Sequence, residues 1–319
     1  MLFQKLTIVV TDRCNAECDF CCFSCSPRGT HVLTEEQIRR VIREAKDLDG
    51  LDEICFTGGE PLLCMELVES CAAYAKELGL KSSVYTNGFW GADARRAAEW
   101  VSRLKAAGVY RMHFSADTWH QQYVPFAVLK TAMRCSREAG LANELSVVEI
   151  SGSSHWQRVR EEMPEEAEAS LTAVYPLLPV GRAKERFTDD QILKPFRADR
   201  VGCFYEKMAA LLVDGTYVMC CSMYLQSNPK IVLGHMDDIS AADLERIVLA
   251  DDYLYLMLKE GFGWYMRRMR ETGRKVPDRV CFPCVCCELV FNDPEFMAQI
   301  ADEVRERAER YRREAGKRI

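Results

Sequence analysis

No run in the 319-residue sequence approaches the ~18 consecutive apolar residues that a membrane-spanning helix needs. An excess of basic charge is missing too: 42 Lys and Arg stand against 48 Asp and Glu, for a net charge of -6. Nothing in that balance supports a nucleic-acid partner, which needs a basic face. The apolar stretch Met1–Val10 is short for a secretion signal, and no small-residue cleavage site precedes Cys14. Internal repeats and low-complexity linkers are absent as well. The expectation is a cytoplasmic protein with no membrane and no nucleic acid among its partners.

What the chain does have is cysteine. There are 16, and 48% of the residues are apolar. A secreted disulfide scaffold would be small and signal-bearing. Here the thiols are clumped instead: five fall between Cys14 and Cys25, Cys220 and Cys221 are adjacent, and four lie between Cys281 and Cys287. The others, Cys55, Cys64, Cys71, Cys135 and Cys203, are scattered. Clumped thiols in a reducing compartment bind metals or metal clusters.

The first half alternates strand and helix. Strands are expected at Leu6–Thr11, Glu53–Thr57, Ser82–Thr86, Tyr110–Ser115, Leu145–Ile150 and near Leu171–Pro176. Helices are expected at Thr34–Leu48, Met65–Leu78, Asp93–Ala107, near Val124–Ala139 and around His155–Met163. Six strands with five helices between them predict a parallel sheet with right-handed crossovers, short of a closed (β/α)8 barrel. The fold class expected is α/β, a partial (β/α)6 TIM barrel over residues 1–190 with a smaller domain over 191–319. In the latter, Asp214-Gly215 between Ala209–Val213 and Tyr217–Cys220 signals a hairpin. Helices follow near Ala241–Leu249, Asp252–Lys259 and Trp264–Glu271. Pro277 to Cys287 reads as a cysteine-bearing loop, and a charged helix, Pro294–Arg313, closes the chain.

Cys14-x3-Cys18-x2-Cys21 comes directly after the first strand. Three thiolates on one loop can hold three irons of a [4Fe–4S] cube and leave the fourth open. A closed zinc site needs four ligands, and Cys22 or Cys25 can supply the fourth. The register resembles the radical S-adenosylmethionine (SAM) superfamily signature, with Phe20 matching its aromatic before the third cysteine. Three further motifs follow in that family's order. The resemblance implies that Thr57-Gly58-Gly59-Glu60-Pro61 meets the SAM amino group, that Tyr85-Thr86-Asn87-Gly88 forms a SAM-binding strand end, and that Ser115-Ala116-Asp117 lies near the ribose and methionine carboxylate. Read singly, these are a turn, a turn dipeptide and a helix cap. The chemistry implied is reductive cleavage of SAM to a 5′-deoxyadenosyl radical that abstracts a substrate hydrogen.

Cys203, Gly215, Cys220 and the 281–287 group resemble the SPASM/Twitch extension of peptide-modifying radical SAM enzymes. This implies a second, auxiliary [4Fe–4S] cluster on Cys203, Cys220, Cys284 and Cys287. Cys281 shares the same spacing to Cys284, and a zinc site of four thiolates is the alternative. Cys21-Cys22-Phe23-Ser24-Cys25-Ser26-Pro27, Asn87-Gly88-Phe89-Trp90-Gly91, Val180-Gly181-Arg182-Ala183-Lys184, Cys220-Cys221 and Lys259-Glu260-Gly261-Phe262 look like the epipeptide-forming radical SAM epimerases (YydG-type). That resemblance implies inversion of a Val- or Ile-like residue in a ribosomal precursor peptide, with Cys221 returning the hydrogen. Adjacent strand residues face opposite ways, so if Cys220 faces the cluster Cys221 faces away from it; a small buried hydrophobe is the other reading of Cys221. Glu206 matches an acidic position that can tune the donor thiol. Arg182 suits the SAM carboxylate by a bidentate contact, or a surface ion pair. His120, at Asp117-x2-His120, is a cap or a ligand contact. A flavodoxin- or ferredoxin-like electron donor is the further partner implied. Cys25, Cys281 and Cys286 are extra to the family pattern. No leader-binding winged helix is expected before Cys14 or after Cys287. The competing expectations are a peptide cross-linking enzyme, which would not need Cys221, and a zinc-binding scaffold.

Overall fold

The computed structural model of the chain describes residues 2–203, 207–220 and 228–316. Its strands are β1 (Lys5–Val9), β2 (Glu53–Thr57), β3 (Lys81–Thr86), β4 (Val109–Ser115), β5 (Ala142–Glu149), β6 (Leu171–Pro176), β7 (Phe196–Arg197), β8 (Met208–Leu211), β9 (Thr216–Val218), β10 (Val232–His235) and β11 (Arg279–Val280). The helices are α1 (Glu35–Ala45), α2 (Met65–Glu77), α3 (Ala94–Ala106), α4 (Phe126–Glu138), α5 (His155–Glu162), α6 (Pro164–Ala169), α7 (Ala183–Arg186), α8 (Leu244–Ala250), α9 (Asp252–Glu260), α10 (Gly263–Glu271), α11 (Pro283–Phe291) and α12 (Pro294–Gly316).

Local chemistry explains the boundaries. Thr34 caps α1 in a reciprocal box with Gln37: the Gln37 N–H donates to Thr34 Oγ1 at 3.2 Å, and the Thr34 N–H donates to Gln37 Oε1 at 2.8 Å. The same helix buries Ile38, Val41, Ile42 and Ala45, the stripe that a 3.6-residue period dictates. Asp93 caps α3 by accepting from the Arg95 and Arg96 N–H groups.

Strands β1 to β6 pair in parallel and in order, with helices crossing between them, as a partial TIM barrel requires. The sheet then continues on the other side of β1. Strand β8 pairs in parallel with β1, and β9 and β10 follow antiparallel, so the order is β10-β9-β8-β1-β2-β3-β4-β5-β6. The hairpin at Asp214-Gly215 is therefore an extension of the barrel sheet.

Alternation along each strand separates two environments. Leu6, Ile8, Ile54, Phe56, Val84, Met112, Phe114, Leu145 and Val147 face the helices and join the main core. Thr7, Cys55, Ser83 and His113 are equally buried but face inward, away from it. The sheet is rolled: Glu144 on β5 feels the charge of Lys5 on β1, although four strand spacings in a flat sheet would part them by about 19 Å.

One expectation is corrected. The stretch read as a loop from Pro277 to Cys287 turns helical at Pro283, where α11 begins. Proline suits the first helical position because its missing N–H has no partner there. Dense cysteine had hidden the apolar helix that buries Pro283, Cys284, Cys286, Val290 and Phe291. Among the described residues no helix is long and apolar enough to cross a membrane.

Candidate functional site: the cysteine loop at the barrel mouth

The loop after β1 carries Cys14, Cys18 and Cys21 and lies against the C-terminal ends of β2, β3 and β4. Two glycines allow this approach. Gly58 has φ +144°, and a Cβ there would overlap the Thr11 carbonyl oxygen; a Cβ on Gly59 would overlap the Arg13 carbonyl. In their place, backbone bonds join the segments: the Gly59 N–H donates to Thr11 O at 2.7 Å and the Glu60 N–H to Arg13 O at 2.9 Å.

Glu60 is 1% exposed. Its carboxylate accepts from Leu62 N–H (3.1 Å), the Thr86 hydroxyl (2.9 Å) and Asn87 N–H (2.7 Å), tying the end of β2 to the end of β3. Burial pushes its pKa up to about 7, against the pull of those donors. Asn87 turns its amide Nδ2 toward the loop, 2.8 Å from Asn15 Oδ1 and 3.9 Å from Cys14 Sγ. At the end of β4, Asp117 is buried and accepts from the His120 backbone at 3.2 Å while its Oδ1 meets His120 Nδ1 at 2.9 Å. Burial works against protonation of His120, but the Asp117 charge and hydrogen bond, with Cys18, hold its pKa well above the ordinary value. Phe20 is half-buried, with ring centroids 4.9 Å from Trp119 and 5.1 Å from His120. Ser115 is the last residue of β4, beside Ser146 of β5.

Arg182 reaches the loop from the other side of the mouth. Its Nη1 donates to Cys18 O, its Nη2 donates to Cys25 O at 2.8 Å, and its backbone N–H donates to Cys21 O at 3.0 Å. The preceding Gly181 has φ +55°, and a Cβ there would overlap the Cys22 carbonyl. Arg182 thus clamps three carbonyls of the cysteine loop, and its guanidinium is also 3.9 Å from Glu17.

The donor chemistry fits an iron–sulfur cube. None of the fifteen described cysteines is in a disulfide. Cys14 Sγ accepts from the Ala16 N–H at 3.4 Å. Burial raises the Cys14 thiol to about 12, while hydrogen bonds from the Cys22 and Cys25 thiols lower that of Cys21. Such N–H and S–H donors are what buried thiolate ligands need. Among the described residues no three His, Cys, Asp or Glu side chains converge on a single-ion site.

The second thiol set gathers around α11. Cys284 and Cys287, three residues apart, share one helix face, whereas Cys286 points back toward Ala198 O at 3.9 Å. Burial raises the Cys287 thiol, and the neighbours next felt are Cys284 and Cys203. Asn228, fully buried, turns its Nδ2 to Cys287 Sγ at 3.2 Å. Cys220 is buried at the end of the segment that follows β9. Cys281 packs with Leu177, Val180, Phe282 and Cys284, in an apolar layer that also includes Phe20 and Cys22 of the first loop. Cys221 and Glu206 lie outside the described residues.

Sequence reading missed the barrel lumen. Inward-facing Lys5, Glu53, Ser83, Arg111, His113 and Glu144 form a polar interior: Lys5 Nζ lies 2.8 Å from Glu53 Oε1, Ser83 and Tyr110 donate to Glu53 at 2.5 and 2.8 Å, and Arg111 pairs with Glu144 at 3.3 Å. The signal was there to find. Parallel strands buried on both faces read as continuous apolar runs, and Glu53-Ile-Cys-Phe-Thr57 or Arg111-Met-His-Phe-Ser115 alternates instead. Asn15 was missed too, with no local signal beyond its place after Cys14.

A cysteine loop at the mouth of a partial barrel, braced by Gly-Gly-Glu and Asn-Gly strand ends, defines a class. Residues 8–150 match the family model described as "Radical SAM superfamily", and that stretch is a radical SAM domain, which implies SAM and a [4Fe–4S] cluster. Over 92% of the chain and 94% of its own length, the "Putative peptide biosynthesis protein YydG" of Bacillus subtilis is 27% identical to this protein. A GTP 3′,8-cyclase of Streptomyces coelicolor is 34% identical, but over 46% of this chain and 41% of its own. In fold, the solved structure described as "Native anSMEcpe with bound AdoMet and Cp18Cys peptide" covers 97% of this chain and all of its own at a TM-score of 0.61, with 14% identity.

Proposed function

We propose that this protein is a cytoplasmic radical SAM peptide epimerase, which inverts Val- or Ile-like residues of a ribosomal precursor peptide. Its residues 1–190 form the SAM-cleaving barrel, and 191–319 form a Twitch-like domain holding an auxiliary [4Fe–4S] cluster. The observation that carries the reading is similarity to a peptide-biosynthesis protein along nearly the whole chain.

In this reading Cys14, Cys18 and Cys21 hold the first cluster, and Cys203, Cys220, Cys284 and Cys287 hold the second. Bound together, the first cluster and SAM supply the 5′-deoxyadenosyl radical that removes the substrate Cα hydrogen. Phe20, Gly58, Gly59, Glu60, Asn87, Ser115 and Asp117 shape the SAM cradle. Arg182 holds the loop by its carbonyls, and Glu60 sets the spacing of the β2 and β3 ends. Cys221 delivers a hydrogen atom to the opposite face of the Cα radical and is left as a thiyl radical, Glu206 tunes that thiol, and an electron from a flavodoxin- or ferredoxin-like donor with a proton from solvent restores it.

The test is turnover of the anaerobically reconstituted protein in D2O with SAM, reductant and synthetic peptides covering the short reading frames beside its gene. A gain of about one mass unit per modified residue, with D-residues after hydrolysis, is expected, and Cys221→Ala should abolish it. A loss of about two mass units with no deuterium uptake identifies a cross-linker instead.

A further inference from the structure

His113 sits inside the barrel with one ring edge unpartnered. It is 2% exposed, and Nε2 has no hydrogen-bond partner. Its ring is nonetheless held fixed: it stacks on Tyr85 at 4.2 Å with 9° between planes, and Nδ1 lies 3.4 Å from Glu144 Oε2. Glu144 is in turn anchored by Arg111. A carboxylate accepts only, so Nδ1 carries a proton, and in the neutral ring Nε2 offers its lone pair to the lumen. The Thr7 and Ser146 hydroxyls, on the inward faces of β1 and β5, are buried and partnerless as well.

Position says what these groups await. His113 lies two residues before Ser115 on β4, about 7 Å deeper in the barrel than the strand-end motifs. The ion pairs of Lys5 with Glu53 and Arg111 with Glu144 hold the charged side chains of the lumen, which leaves His113 Nε2 unpartnered beside the Thr7 and Ser146 hydroxyls and Arg111 Nε. A peptide presenting its Cα inside such a chamber brings backbone amides out of water, and each buried amide N–H needs an acceptor.

We infer that His113 is a substrate-binding residue: its Nε2 accepts a hydrogen bond from a backbone N–H of the peptide entering the barrel. Glu144 is the positioning residue that turns Nε2 inward. The inference rests on the reading that the substrate is a peptide, and is independent of whether that peptide is epimerised.

The experiment measures peptide affinity by fluorescence anisotropy, with the reconstituted full chain and SAM. The probes are labelled synthetic peptides from the neighbouring reading frames, and versions in which one amide at a time is replaced by an ester. His113→Phe is expected to weaken peptide binding about 10-fold, His113→Gln to stay within about 3-fold, and SAM affinity to change less than about 2-fold in both. One ester is expected to bind the wild type about 10-fold more weakly than its amide, while His113→Phe no longer tells them apart. Equal peptide affinity in wild type and His113→Phe overturns the assignment. If His113→Phe fails to load its clusters, the ester series on the wild type decides, and indifference to every ester overturns it. The expected pattern with a cross-linked product supports His113 and overturns epimerisation. Binding of no peptide overturns both.

Discussion

At the residue scale, the most informative side chain is Arg182. Its sequence position suggested a SAM carboxylate or a surface ion pair. In the fold it clamps the carbonyls of Cys18 and Cys25 across the barrel mouth. Hydrogen bonds to a charged group contribute about 1.5–3 kcal/mol, here spent on holding a loop that must present three thiols together. Arg182→Ala should therefore reconstitute with markedly less iron and lose it faster in air, with far-ultraviolet circular dichroism unchanged. Arg182→Lys, which cannot span two carbonyls, should fall between. Iron per chain after reconstitution is the measurement; full loading of Arg182→Ala would remove the clamp from the account. Glu60 teaches the same lesson. The Gly-Gly-Glu motif was visible as a string, but the three bonds its carboxylate accepts from β3 and its own turn were not, because they come from residues 2 to 27 positions away.

At the scale of elements, the strand–helix alternation was legible because capping and periodicity are local. Thr34 and Asp93 begin their helices where expected. Helix α11 was not, since a run of thiols carries no clear period. Helical geometry now separates its cysteines: Cys284 and Cys287 share a face, and Cys286 turns toward Ala198. Cys284→Ser and Cys287→Ser are each expected to lose about four irons per chain, one [4Fe–4S] cluster. Cys286→Ser should keep its full iron and change only stability. Iron analysis with electron paramagnetic resonance of the three variants checks this. Iron loss in Cys286→Ser alone would reassign the ligand.

Over the whole molecule, the barrel encloses charge rather than hydrocarbon. Burial works to raise the pKa of Glu53, but hydrogen bonds from Lys5, Ser83 and Tyr110 outweigh it and hold the value below the ordinary one. Glu144 is held low chiefly by His113, against burial, with the Arg111 charge adding. Carboxyls depressed in the folded state stabilise it fully above the unfolded value of about 4.3. That stability is lost as pH falls through their lower folded values. Thermal unfolding should thus shift steeply downward below about pH 4.3. Glu53→Gln, which strands Lys5, should cost about 3 kcal/mol near neutral pH and flatten the acid slope. An unchanged slope in the variant would place the acid-sensitive groups elsewhere.

The sequence by itself determined the α/β rhythm, the x3-x2 cysteine spacing and the strand-end motifs, because each rests on neighbours within a few residues. Only the tertiary structure decided that β8 extends the sheet beside β1, that Arg182 grips the cysteine loop, and that His113 is walled in beside Tyr85 and Glu144. Those relations join residues about 30 to 200 positions apart. They exist only once the sheet has rolled and alternate side chains have been turned inward, out of reach of water.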